Sequence, residues 1–131
     1  MMKKRYPWYL INGDDMLFSF SAPIWFYPRP VDFRKQVDGL VMLVSDQLQM
    51  NPTSGQLYIF RNRSSNKLKL LWWDRNGFWL CYRRLEKDCL RLPSINDHVM
   101  ELSRDQLGWL LSGLNFLEHK QFSEIKVSNF Y

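Results

Sequence analysis

Nine lysines and arginines fall between residues 61 and 91: Arg61, Arg63, Lys67, Lys69, Arg75, Arg83, Arg84, Lys87 and Arg91. Only three acids, Asp74, Glu86 and Asp88, lie among them. The segment carries +6, whereas the whole 131-residue chain carries +5, so the remainder nets −1. Tryptophans are interleaved with these cations in KLKLLWWDRNGFWLCYRR, residues 67–84. Lysine and arginine neutralise phosphates, and an indole ring offers a platform for a base. Localised charge of this kind describes a surface facing a polyanion. The same residues also suit a protein-docking surface, where aromatics beside arginine are common anchors, or a merely solubilising face.

Other chemistry finds less support. Asp14, Asp15, Asp32, Asp38, Asp46 and Asp74 lack metal-ligand spacing, and most sit where a cap, turn or helix surface explains them. Cys81 lies in an expected strand without a neighbouring histidine, which makes it a packing residue rather than a nucleophile. Cys81 and Cys89 form no ligand cluster with His98 or His119 and read as reduced cytosolic thiols. Neither a glycine-rich phosphate loop nor a nucleophile elbow is present in the sequence. The expectation is a protein that is not an enzyme and has no cofactor and no metal.

The elements that must position the basic residues can be read from periodicity. In residues 31–52, Phe33, Val37, Leu40, Val41, Val44 and Leu48 form one helical stripe, with Asp32 as the cap and Asn51-Pro52 as the stop. Arg34 and Lys35 then occupy the first turn, against the helix dipole. They make either a small anion site with the exposed amides or a pair neutralised by Asp32 and Asp38. A second helix starts at Ser103, where Ser103 and Gln106 form a capping box and Leu102 staples onto Leu107. Leu107, Leu110, Leu111 and Leu114 are its buried stripe, with Gly113 near the stop.

Strands are expected within 16–27, where prolines 23, 28 and 30 intervene, in QLYIF (56–60), and on both arms of the 67–84 hairpin. Two hairpin registers fit. Asn76-Gly77 can form a two-residue turn, or residues 74–77 can form a type I turn followed by a glycine bulge. The second register is preferred here. It turns Leu68, Leu70, Trp72, Leu80 and Tyr82 inward, and Lys67, Lys69, Leu71, Trp73, Trp79, Cys81 and Arg83 outward.

Three blocks carry a resemblance: PVDFRKQVDGL, NPTSGQLYIFRNR and KLKLLWWDRNGFWLCYRRLEK. In this order and spacing, from about Met16 to Leu114, they resemble the Orf2 (TnpB-type) accessory proteins of insertion-sequence family sixty-six. These are unrelated to the RNA-guided nucleases that share the TnpB label. The resemblance implies a small factor acting in transposition beside a larger, separate transposase, and it carries over no catalytic residues. It also implies that members usually start at Met16, so residues 1–15 are expected to be an extension or a misplaced start. Members often end in a basic tail, whereas here Glu118 and Glu124 offset Lys120 and Lys126. Gln36 stands where small residues are common.

The sequence therefore predicts an α+β domain over residues 16–131, with an antiparallel sheet of about five strands packed by two amphipathic helices. Pro7, Asn12, Asp14 and Asp15 interrupt any signal-peptide core, and the longest apolar run, residues 40–44, is far too short to span a bilayer. A cytoplasmic protein without a membrane partner is expected, nucleoid-associated if it binds DNA. The expected role is a non-catalytic accessory factor contacting transposon-end DNA through Arg61, Arg63, Lys67, Lys69, Arg83, Arg84 and Trp79, with Arg34 and Lys35 as a further cationic pair. The alternative is a module that docks on the transposase without touching DNA.

Overall fold

The computed structural model describes residues 22–90, 92 and 98–112. The proposed extension 1–15, Gly113, Leu114 and the tail beyond them lie outside the described residues. Five strands form one sheet: β1 (Ile24–Phe26), β2 (Leu57–Arg61), β3 (Lys67–Asp74), β4 (Gly77–Arg84) and β5 (Met100–Leu102). The order across the sheet is β4-β3-β2-β1-β5. Three neighbouring pairs run antiparallel, as expected, but β1 and β2 run parallel. A helix between them supplies the crossover that parallel strands need. That helix is α1 (Val37–Met42), continued by a π-helical turn, Leu43–Gln47. The second helix, α2 (Arg104–Leu111), follows β5. The α+β architecture is the one the sequence predicts.

Both faces of the sheet are covered. On one side Ile24, Phe26, Leu57, Ile59, Leu68, Leu70 and Trp72 pack against Leu107, Leu110 and Leu111 of α2. On the other side Tyr58, Phe60 and Leu71 pack against Leu40 and Val44 of α1 and its extension. Strand β3 is accordingly buried almost continuously from Leu68 to Trp72. This is the signature of a strand sandwiched between helices rather than one with a wet face. The outward assignment of Leu71 is overturned, because it is fully buried in the second core.

The hairpin register also differs from the expectation. Asp74 pairs with Gly77, Trp72 with Trp79 and Leu70 with Cys81. A type I turn with a glycine bulge needs a left-handed glycine. Here Arg75, at φ +58°, takes the left-handed position. The Asn76 amide donates to the Asp74 carbonyl at 2.6 Å. The resulting one-residue slip carries every β4 side chain to the opposite face. Trp79, Cys81 and Arg83 join the α2 side, while Leu80 and Tyr82 join the α1 side.

The expected apolar stripes pack into the cores as far as they are described, with Phe33 preceding α1 and Leu114 lying outside the described residues. Phe33, Val37, Leu40, Val41, Val44 and Leu48 all belong to the second core. The start of α1 is later than expected, since residues 33 and 34 form a turn and the helix begins at Val37 with Gln36 as an uncapped N-cap. For α2 the capping box forms as read: the Ser103 Oγ accepts from the Gln106 amide, and the Gln106 Oε1 accepts from the Ser103 amide.

Candidate nucleic-acid interface

Two segments face each other at one end of the sheet. After β1 the chain follows β2, with the Tyr27 and Val31 amides donating to the Ile59 and Arg61 carbonyls. A regular parallel ladder would next use the Arg29 amide, but the Val31 amide takes the Arg61 carbonyl instead, so regular pairing ends here. This leads residues 31–36 across the end of the sheet. Opposite them lies the β2–β3 connection, held by Asn62. Its Oδ1 accepts from the Asn66 and Lys67 amides at 3.1 and 3.0 Å, and its Nδ2 donates to the Asn66 Oδ1 at 2.6 Å. Side chains in such local bonds lock a turn without other support. Arg63 and Ser64 are left exposed at its tip.

Between these walls lies a groove of about 700 Å³, to which Arg34, Arg63, Lys67, Lys69 and Tyr82 contribute. Among the described residues, Asp32 is the one acid lining it. The Arg34 guanidinium forks this carboxylate, with Nε–O distances of 3.1 and 3.0 Å and an Nη2–O distance of 2.6 Å. The hydrogen bonds from Arg34 hold the Asp32 pKa down at about 2, so the acid stays ionised. For Arg34 this geometry matches local neutralisation by Asp32. Neither Arg34 nor Lys35 lies in a first helical turn, which corrects that expectation. Arg34 reaches the groove, whereas Lys35 offers it no lining side chain.

Lys69 occupies an unexpected position. It is 4% exposed, the one charged residue among the buried side chains described. Its Nζ donates to the Phe33 carbonyl at 2.9 Å and to the Lys35 carbonyl at 2.7 Å. The ammonium also sits 4.9 Å from the Phe33 ring centre and 5.9 Å from that of Tyr82. Burial, helped by Lys67, lowers its pKa. Lys69 therefore pins the 33–35 turn onto the sheet and forms the groove floor. It is not an exposed phosphate ligand.

The remaining predicted residues divide between the two faces. Lys67 and Arg84 face each other across β3 and β4, on the groove side. Arg84 is exposed and pairs with Glu86 at 2.9 Å. Arg61, Trp79 and Arg83 are on the α2 side, away from the groove, and this overturns a single face shared by all the cations. Arg83 donates from Nη1 to the Leu111 carbonyl at the end of α2, where a cation complements the helix dipole. Arg61 is half-buried. Its Nε has no hydrogen-bond partner, and desolvation, with Arg63 nearby, lowers its pKa. Trp79 stacks on Trp72 at 6.2 Å and donates to Asp74 at 3.3 Å. Trp73 packs edge-on against Phe78 at 5.0 Å on the opposite face from Trp79. Cys81 is half-buried against the α2-side core, and this desolvation raises its pKa to about 11 and suits the packing role.

Tyr82, expected inward, is 50% exposed at the groove. A tyrosine in a strand gives no signal that separates these outcomes. Phe33, Gln36 and Asn62 also line the groove and carry no charge to mark them in the sequence.

Residues 22–121 match the protein family described as IS66 Orf2-like protein. Two proteins of Sinorhizobium fredii are similar, both described as uncharacterised. One, y4jC, is 31% identical over 93 residues, covering 71% of this chain and 80% of its own. The other, y4hO, is 33% identical over 96 residues, covering 73% of this chain and 84% of its own. No solved structure matches.

Proposed function

The chain belongs to the IS66 Orf2-like family, and we propose that it serves transposition as a non-catalytic accessory factor that grips the phosphate backbone of the element's terminal DNA in the groove at the end of the sheet. Family membership implies the accessory role. DNA contact is supported by one observation above all: Arg63 and Lys67 converge on a concave site whose one acid among the described lining residues, Asp32, is already neutralised by Arg34. A cleft lined by one sign of charge raises the local concentration of the opposite sign. Arg84, across from Lys67, extends this positive edge. Trp79, Arg61 and Arg83 have no part in it.

The test is fluorescence anisotropy with a labelled duplex of the element's end. Arg63→Glu with Lys67→Glu abolishes binding at low salt. Arg75→Glu with Lys87→Glu, an equal charge change at exposed residues outside the groove, leaves most of it. Equal losses in both double variants would reduce the effect to net charge and sink the assignment.

Docking on the transposase without DNA contact is the second reading. Met42, 56% exposed on α1, is the feature that favours it. A complex with transposase that survives nuclease treatment and is lost with Met42→Glu would support that reading.

A further inference from the structure

We infer that the groove takes an unpaired nucleotide, with the Tyr82 ring as its stacking platform and Arg63 and Lys67 on the flanking phosphates. This rests on the DNA reading above and names which form of nucleic acid the site favours. Two large hydrophobic side chains are described as exposed, and one of them, Tyr82, lies at the groove among its cations. Burying a tyrosine is ordinary in a strand of this core, so its 50% exposure is the feature to be explained.

The ring is held rather than loose. Phe33 meets it edge-on, with ring centres 6.3 Å apart and planes at 64°. The Lys69 ammonium, fixed by two backbone carbonyls, lies 5.9 Å from its centre. A strand residue positioned in this way keeps its orientation when a ligand arrives, which limits the entropy lost on binding.

The groove's chemistry fits a nucleotide better than a smooth duplex. A duplex offers phosphates along a convex surface, with its bases stacked on one another. An aromatic side chain in a cationic cleft gains from a base only when that base is unstacked and can lie against the ring. A volume of about 700 Å³ is within the range of small-ligand sites. Gln36 and Ser64, both exposed on opposite walls, offer polar groups that can hydrogen-bond a base or sugar. Arg63 and Lys67 supply the charge that a nucleotide's phosphates require.

The experiment compares the full chain on a blunt duplex of the element's end and on the same duplex with a four-nucleotide single-stranded tail. The tailed DNA is expected to bind at least fivefold more tightly. Tyr82→Ala is expected to remove that preference, a loss of about 5- to 150-fold on the tailed DNA at the usual value of one stacked base. Tyr82→Phe retains it. Thermal unfolding of each variant confirms that the fold is intact. Equal affinity for blunt and tailed DNA, or a preference that survives Tyr82→Ala, overturns the inference and leaves phosphate binding standing. Failure of both DNAs to bind at low salt overturns the phosphate reading as well.

Discussion

Replacing Lys69 with methionine separates a structural lysine from a phosphate ligand. Methionine keeps most of the aliphatic stem but removes the ammonium that donates to the Phe33 and Lys35 carbonyls. Each charged hydrogen bond is worth about 1.5–3 kcal/mol net, and the cation–π contacts add about 0.5–2 kcal/mol. Against this, the variant avoids burying an ammonium, a cost of several kcal/mol. Two carbonyls then lose their donor in a site that is 4% exposed at Lys69, and this decides the sign. The expected net loss is about 1–3 kcal/mol, or a fall of about 0.7–2 M in the urea midpoint at an m-value near 1.5 kcal/mol/M. The pH dependence has a definite direction. Burial puts the folded pKa below the ordinary 10.5, so the folded state releases its proton before the unfolded chain does. Stability from this group therefore rises with pH between the folded value and 10.5, and Lys69→Met loses that rise. Urea denaturation across pH measures both effects. An unchanged midpoint, together with a DNA salt slope reduced by about 0.9, would show that Lys69 is a surface phosphate contact after all.

Three further outcomes follow from the same geometry. Arg83→Ala removes the cation at the end of α2 and lowers stability by about 0.5–2 kcal/mol in thermal unfolding, while DNA affinity is unchanged. Arg34→Ala lets the Asp32 pKa climb from about 2 back toward 3.8, as a carboxyl NMR titration would record. In the parent protein this carboxylate's contribution is full above pH 3.8 and is lost as pH falls through about 2. Iodoacetamide at pH 8 modifies exposed Cys89 and spares Cys81, whose thiol is held at a pKa of about 11, until denaturant is added.

Much of the fold was legible because several signals agreed. The capping box at Ser103, the Leu107, Leu110 and Leu111 stripe, and Val37, Leu40, Val41 and Val44 all stand where periodicity places them. The hairpin faces were misread because β3 has helices on both sides. Alternation of polar and apolar residues then no longer separates core from solvent: Lys69 and Leu71 are as buried as Leu68 and Leu70. The turn sequence Asp-Arg-Asn-Gly also allowed more than one register. The Asn76-Gly77 alternative, though shifted by two residues, would have assigned the faces correctly. The asparagine and glycine implied where positive φ should fall, but Arg75 adopts it. The concentration of charge in 61–91 includes cations that line the groove and cations that do not. It could not distinguish Lys67 and Arg63 from Arg83, which closes a helix, or Lys69, which pins a loop.

The salt dependence of binding tests the central claim most directly. Full-length protein is titrated with DNA of the element's end at several potassium chloride concentrations. With Arg63, Lys67 and Arg84 as the contacts, log Kobs is expected to fall against log salt with a slope of about −2 to −3. Arg63→Ala with Lys67→Ala should flatten that slope by about 2, while Arg83→Ala should leave it unchanged. No binding at low salt, or a slope that the groove substitutions do not alter, would contradict the account.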